Sequence, residues 1–292
     1  MASTPFRFVD IGPWPMGMNT VLPDTELPKE ALRDAVNVNL LVSGVPETRL
    51  NWEQVHQGDA HSFFQHDGRA FGVVDGVVGE LTESGFTGTA SAEGPIDWTV
   101  LNDEPVFVTP SGVFHLSGQR IASQGDADDV DESLIPLPGG HLVEYWNGRL
   151  VVARGSALLF SEPLRYGAHN PLKGYYQLEA RPTWMAALET GIYVGLKNRV
   201  VFLSGRSPYD LGVTTVASRS APGMGLVVSS ALIGDDRIQS PRVAVFFTEK
   251  GFTIGTPDGM VIYPQKGVVS DLPLFRGKLI VDRNRIFAVR GF

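Results

Sequence analysis

Few residues in this sequence have the types and spacing that catalysis or metal binding requires. There is no HExxH zinc motif, no phosphate-cradling GxxxxGK loop and no GxSxG nucleophile elbow. Cysteine is absent, which excludes disulfides and thiolate ligands. The sequence therefore predicts no catalytic residue, no cofactor and no metal. Four weaker candidates remain.

Three histidines recur at intervals of five residues, at His56, His61 and His66. This spacing alternates faces along a strand and turns each residue by about 140° on a helix. Neither geometry brings three imidazoles to one ion, so we do not expect a metal site here.

An acidic segment at residues 125–133, GDADDVDES, offers oxygen ligands that Ca²⁺ could use. Its acidic residues are Asp126, Asp128, Asp129, Asp131 and Glu132. The segment lacks the glycine and the distal glutamate of an EF-hand loop, so we interpret it as a solvated loop.

Three glutamates, Glu144, Glu162 and Glu179, could supply the paired carboxylates of a glycoside hydrolase. Spacing alone does not place them within catalytic distance, and surface or interface positions are the simpler interpretation. Nearby aromatic residues could form a sugar platform, although core and interface packing is the commoner use of such residues. They are Trp146, Tyr175, Tyr176 and Trp184.

A glycine-rich phrase, GMGLVV beginning at Gly223, resembles half of a dinucleotide-binding fingerprint. That fingerprint works only where a strand leads into a helix within a βαβ unit, and no such unit surrounds it. We therefore expect these glycines to serve a turn.

The rest of the sequence predicts short antiparallel strands joined by tight turns. NGRLVVARGSALLFS at Asn147 and TGIYVGLKNRVVFLS at Thr190 look like two copies of one strand-turn-strand unit, about 43 residues apart. A repeat of roughly 40 to 50 residues is typical of propeller blades, which bury their apolar faces against one another. An ordinary antiparallel sandwich with similar hairpins is the alternative.

Similar units recur along the chain, so the sequence predicts an all-β, propeller-like fold of about six short blades within residues 29–292. The units centre near Gly68, Pro105, Gly148, Gly191, Val243 and Gly277. Residues 1–28 carry five prolines among apolar residues, which predicts an extended N-terminal arm. The arm packs either on its own body or on a neighbouring subunit, and its predicted contact residues are Phe6, Phe8, Trp14, Met16 and Met18.

Composition restricts the partners of this chain. Of its 292 residues, 43% are hydrophobic and 19% charged, and the formal net charge is −8. A protein with this net charge is not expected to bind nucleic acid by neutralising its phosphates, because such binding requires a basic face. No apolar run approaches the roughly 18 residues of a membrane span, and the N-terminus lacks the order of a signal peptide. We therefore expect synthesis in a cytoplasm.

Three ordered sets of residues carry a family resemblance. The first comprises Gly17, Asn19, Leu27, Pro28, residues 32–40, Gly44 and Arg49. The second comprises Asn147, Gly148, Arg149, Leu150, Ala153, Gly155, Leu158, Ser161, Glu162 and Pro163. The third is residues 191–211 followed by residues 220–225. In this order they resemble the virion proteins that form the tail hub or nozzle of short-tailed phages and related head-to-tail connectors.

The resemblance implies a structural, non-enzymatic virion protein made in the host cytoplasm. It implies a homo-oligomeric ring, a hexamer in this family, that adjoins the portal or adaptor and other tail proteins. Genomic DNA would pass through the ring without sequence-specific binding. Nozzle proteins often carry a large inserted tip domain, for which 292 residues leave little room. The alternative functions are a carbohydrate- or receptor-binding propeller on the virion and, further off, a propeller glycoside hydrolase.

Overall fold

The computed structural model describes most of the chain and divides it into two compact units. The described residues are 19–23, 25–28, 31, 38–40, 46–48, 58–82, 84–123, 132–269, 271–282 and 285–290. One unit comprises residues 1–54 and 265–272, and the other comprises residues 55–264 and 273–292.

The smaller unit contains a two-stranded antiparallel sheet, in which β1 (Val38–Leu40) pairs with β2 (Pro46–Thr48). Val36, Val38, Leu40 and Val42 alternate with other residues before the turn signal Ser43-Gly44, which predicts a hairpin, and the pairing of β1 with β2 confirms it. The Asn19 side chain accepts hydrogen bonds from the backbone N–H groups of Val21 and Leu22, at 3.0 and 3.1 Å. The backbone N–H of Thr20 donates to the carbonyl of Val268 and so joins the two segments of this unit.

The larger unit is a five-bladed β-propeller arrangement, and the prediction of an all-β propeller-like fold is confirmed. The first blade contains β3 (Ala60–His66), β4 (Arg69–Val74), β5 (Val77–Thr82) and β6 (Gly85–Ser91). The second contains β7 (Asp97–Leu101), β8 (Glu104–Thr109) and β9 (Gly112–His115).

The third blade is the largest. It contains β10 (Ile135–Pro136), β11 (Leu142–Trp146), β12 (Arg149–Arg154), β13 (Ala157–Glu162), β14 (Arg165–His169) and β15 (Tyr175–Gln177). Its strand order is β10-β14-β13-β12-β11, with β15 paired to β13.

The fourth and fifth blades have four strands each, in sequence order. The fourth contains β16 (Trp184–Leu188), β17 (Gly191–Gly195), β18 (Arg199–Ser204) and β19 (Gly212–Ser218). The fifth contains β20 (Ser220–Ser229), β21 (Arg242–Thr248), β22 (Gly251–Gly255) and β23 (Val261–Ile262), with the short helix α1 (Ser230–Ile233) after β20.

The sixth predicted unit, near Gly277, is a two-stranded hairpin and not a blade. It consists of β24 (Gly277–Asp282) paired with β25 (Arg285–Arg290). The sequence predicts the hairpin itself, but it does not show that only two strands join in this sheet. The prediction of about six blades is therefore close to the five observed.

The turns follow the chemistry that the sequence predicts. Asp67-Gly68, Asp75-Gly76 and Asn147-Gly148 each link two antiparallel strands, and all six residues have positive φ angles between 46° and 78°. Two consecutive residues with positive φ are the mark of a type I′ turn, whose twist matches that of the strands it joins.

The core of the larger unit is a series of apolar layers, each between consecutive sheets. Between the third and fourth blades the layer includes Trp146, Phe160, Met185, Ile192 and Leu203. Equivalent layers lie between each other pair of consecutive blades, and a further layer lies between the fifth blade and the β24–β25 hairpin. One strand of each sheet also contacts one strand of the next sheet, in the order β3, β7, β11, β16, β20 and β24. Among the described residues, no helix is long and apolar enough to cross a lipid bilayer.

Candidate functional site

Charged side chains from three other strands act on Glu144, which lies on β11 of the third blade. They are Asp97 on β7, Arg242 on β21 and Lys278 on β24. Both carboxylate oxygens of Asp97 are engaged: Lys278 Nζ donates to Oδ1 across 3.2 Å, and the Val143 backbone N–H donates to Oδ2 across 3.1 Å. We call these four residues the inner-strand cluster.

The alternation of side chains along β7 explains how Asp97 reaches this position. Asp97 and Thr99 lie on one face, where the Thr99 hydroxyl oxygen accepts a hydrogen bond from the Tyr145 backbone N–H at 3.1 Å. Trp98 lies on the opposite face, where its Nε1 donates to the Ser62 carbonyl at 2.6 Å. Strand β7 therefore joins the third blade through its polar side chains and the first blade through its tryptophan.

The environment of Glu144 raises the pKa of its carboxyl from 4.5 to about 8. Burial is the largest cause, because it disfavours the charged form, and the negative charge of Asp97 adds to it. Arg242, Lys278 and a backbone hydrogen bond at Tyr145 act in the opposite direction and do not compensate. With a pKa of about 8, the carboxyl of the half-buried Glu144 favours its protonated form at pH 7, in which it can donate a hydrogen bond.

The structure does not bring the three candidate glutamates together. Glu144 belongs to the inner-strand cluster, whereas Glu162 lies 3.9 Å from Arg149 and Glu179 forms an ion pair with Arg199. Asp97 is the carboxylate that raises the pKa of Glu144, and it was not among the candidates predicted from the sequence. An aspartate at the start of the apolar strand DWTVL was the available signal, because Asp is depleted in strands.

The candidate aromatic platform is also dispersed. Trp146 and Trp184 are buried, and their Nε1 groups donate to the Leu188 carbonyl at 2.9 Å and to Ser220 Oγ at 3.0 Å. Tyr175 is exposed and Tyr176 partly buried, on opposite faces of β15. Both tryptophans thus join neighbouring blades, as the interpretation of core packing predicts.

Two of the three candidate histidines, His61 and His66, lie within the described residues, and each contacts a polar neighbour. His61 Nδ1 lies 2.9 Å from Ser62 Oγ, and His66 Nε2 lies 3.1 Å from Asp103 Oδ1. Within the described ranges, no group of three or more potential ligand side chains gathers. Outside these ranges lie His56, Asp126, Asp128, Asp129, Asp131 and the arm residues Phe6, Phe8, Trp14, Met16 and Met18.

Gly223 allows strands β20 and β24 to lie close together. It lies in β20 with φ +79°, and a Cβ at this position would lie 2.4 Å from the Gly277 carbonyl of β24. Only glycine permits this contact without strain. The expectation of a turn is wrong: GMGLVV lies within β20, where the pairing with β21 is irregular between Ser220 and Gly225.

The motif NGRLVVARGSALLFSEP forms the frame of the third blade. Arg149 is buried and donates to the Ser161 carbonyl at 2.6 Å, and Ser161 Oγ accepts from the Leu150 backbone N–H at 2.9 Å. The Asn147 side chain donates to the Glu189 carbonyl at 2.8 Å and so reaches the fourth blade. Arg149 and Ser161 thus join two strands of the third blade, and Asn147 joins that blade to the fourth.

Comparisons with known proteins find likenesses of fold. No protein-family model and no curated protein sequence matches the chain. Similar solved structures include apo AztD from Citrobacter koseri, with 13% identity, a TM-score of 0.45, and coverage of 79% of this chain and 65% of AztD. A gluconolactonase from Xanthomonas campestris has 8% identity, a TM-score of 0.48, and coverage of 76% and 79%.

The WD40 domain of Neurospora crassa Pan2 has 11% identity, a TM-score of 0.47, and coverage of 78% of this chain and 71% of that domain. The chain thus spans about two thirds of AztD. All three TM-scores lie below 0.5, so these likenesses say nothing about what this chain binds or does.

Proposed function

We propose that this chain is a structural, non-enzymatic subunit of a phage virion, of the tail hub, nozzle or head-to-tail connector type. In this proposal it assembles as a homo-oligomeric ring, a hexamer, that continues the channel of the portal or adaptor. DNA passes through the ring during ejection. The ordered resemblance of the motifs, from Gly17 to Gly225, is the basis of the family assignment.

The observation that carries the proposal is that Asn147, Arg149 and Ser161 of the second motif form hydrogen bonds within the propeller. Arg149 and Ser161 bind β12 to β13, and Asn147 binds the third blade to the fourth. A motif kept for catalysis would present a side chain to a substrate, whereas this one presents its hydrogen-bonding groups to neighbouring strands. Such a motif suits a rigid building block.

Electrostatics supports a passive conduit. The net charge of −8 gives DNA no general attraction to the subunit, and an acidic channel wall would keep a polyanion from adhering during passage. A ring gives each subunit a heterologous interface that closes on itself, and the apolar N-terminal arm is the segment we expect to contact the neighbouring subunit.

Native mass spectrometry of the full chain, alone and mixed with a portal or adaptor ring, tests this proposal. We expect a closed homo-oligomer in at least one of the two samples, and a hexamer by the family resemblance. A chain that stays monomeric in both samples would contradict the proposal and favour a receptor-binding propeller.

A further inference from the structure

A cleft opens between the fourth and fifth blades, next to the inner-strand cluster. Its volume is about 420 Å³, which lies in the range of small-molecule sites. Three segments form it: the β16–β17 turn, residues 237–242 before and at the start of β21, and the β22–β23 connection at residues 256–260. Its apolar side includes Leu188, Ile238, Pro257 and Met260.

Arg242 is the available cation of this cleft. Its side chain is exposed and forms no ion pair with any residue that the structure describes. Arg237, the other arginine of the lining, is held by Asp235, with Nε 2.8 Å from Oδ1 and Nη2 2.5 Å from Oδ2. An unpaired guanidinium at the edge of a cleft is suited to bind a carboxylate through two parallel hydrogen bonds.

The other charged residues of the lining favour a monoanion over a dianion. Glu189 and Asp258 also face the cleft, and Asp258 accepts a hydrogen bond from the Thr256 hydroxyl. Two carboxylates repel a phosphate dianion more than a monoanion. They can also accept hydrogen bonds from hydroxyl groups, as can Gln239 and Ser240. The lining therefore combines one anchor for a carboxylate, several partners for hydroxyls and an apolar side for C–H groups.

We propose that this cleft binds a small hydroxylated carboxylate, of the uronic-acid kind, with its carboxylate on Arg242. The proposal goes beyond the ring function and does not depend on it.

Titration of the full chain with D-glucuronate, followed by calorimetry and by NMR of the ligand, tests the site at pH 7. We expect saturable binding, with acetate and D-glucose each weaker by about tenfold or more, because each lacks one half of the recognised chemistry. The substitution Arg242→Gln should weaken glucuronate binding about tenfold or more, since it removes the charged anchor. Arg154→Gln, at an exposed arginine of the third blade, is the matched control and should leave the affinity unchanged.

Three results would overturn the proposal: the absence of saturable glucuronate binding, an unchanged affinity in Arg242→Gln, or acetate binding as tightly as glucuronate. Ring formation, measured separately by native mass spectrometry, can succeed or fail without affecting any of these outcomes.

Discussion

Lys278 on the C-terminal hairpin donates a hydrogen bond to Asp97 on the second blade across 3.2 Å, although 181 residues separate them in the chain. This ion pair connects the last described hairpin with an early blade. The Asp97 carboxylate also accepts from the Val143 backbone N–H, so it connects the second blade to the third as well. Asp97 is thus shared among three sheets of the propeller.

Removal of Asp97 should therefore destabilise the protein more than removal of Lys278. Asp97→Ala leaves the Val143 N–H without its acceptor, which costs about 1–3 kcal/mol of unfolding free energy. Lys278→Ala removes a partly exposed cation, whose side chain is 41% accessible, and should cost less than about 1 kcal/mol. Urea denaturation of both variants measures the difference. An equal loss of unfolding free energy in the two variants would show that the hydrogen bond from Val143 to Asp97 does not add to stability.

Glu144 should make stability depend on pH. Its pKa is about 8 in the folded chain and near 4.5 in the unfolded chain, so the folded state holds more protons between these values. The contribution of Glu144 to the free energy of unfolding is therefore greatest below about pH 4.5 and declines as the pH rises toward 8. Glu144→Gln removes this decline. The unfolding free energy of the variant minus that of the native chain should therefore be about 2–4 kcal/mol larger at pH 8 than at pH 5.

Denaturant unfolding at pH 5, 6.5 and 8 follows this effect. Glu132→Gln, at an exposed glutamate, is the control and should shift the unfolding free energy by less than about 0.5 kcal/mol at each pH. A constant difference between Glu144→Gln and the native chain across the three pH values would refute the assigned environment of Glu144.

The Arg149 side chain should contribute to the stability of the folded chain. Arg149→Ala leaves the Ser161 carbonyl and the Glu162 carboxylate without a buried partner, and we expect a loss of about 2–4 kcal/mol. Arg149→Lys should recover only part of this loss, because an ammonium group does not reproduce the planar guanidinium. Thermal unfolding of both variants provides the measurement. A change below about 0.5 kcal/mol in Arg149→Ala would contradict the structural interpretation of the motif.

Leu164 carries backbone strain at the surface. Its φ is +60°, which costs a residue with a Cβ about 1 kcal/mol, and its side chain is 73% exposed. Leu164→Gly relieves this strain and should leave the melting temperature equal or higher. The matched control is Leu172→Gly, at a leucine that is 83% exposed and has no positive φ; it should lower stability by about 0.5–1 kcal/mol. Similar losses in both variants would show that the Leu164 backbone is not strained.

Local chemistry explains what the sequence could predict. Asp67-Gly68 and Asn147-Gly148 specify their turns because Asp, Asn and Gly tolerate positive φ, and a turn of this kind fixes the pairing of the strands beside it. Repetition of such units indicates a propeller. The same local signals do not reveal how many strands join each sheet, which is why the two-stranded hairpin at Gly277 counts as a sixth unit in the sequence but not as a blade.

The surroundings of Glu144 could not be predicted for a different reason. Its pKa depends on burial and on Asp97, Arg242 and Lys278, which lie on three other strands distant in the chain. No spacing in the sequence relates these residues, because their proximity arises from the stacking of blades. The cleft near Arg242 has the same origin, since three segments from two blades form it.

Single-particle electron microscopy of the full chain, assembled alone or on its adaptor, tests the central claim most directly. We predict a closed ring of identical subunits around an open channel that is wide enough for duplex DNA and lined by acidic or neutral residues. A basic channel wall would contradict the passive conduit, and a particle with one subunit and no ring under both conditions would contradict the proposed function itself.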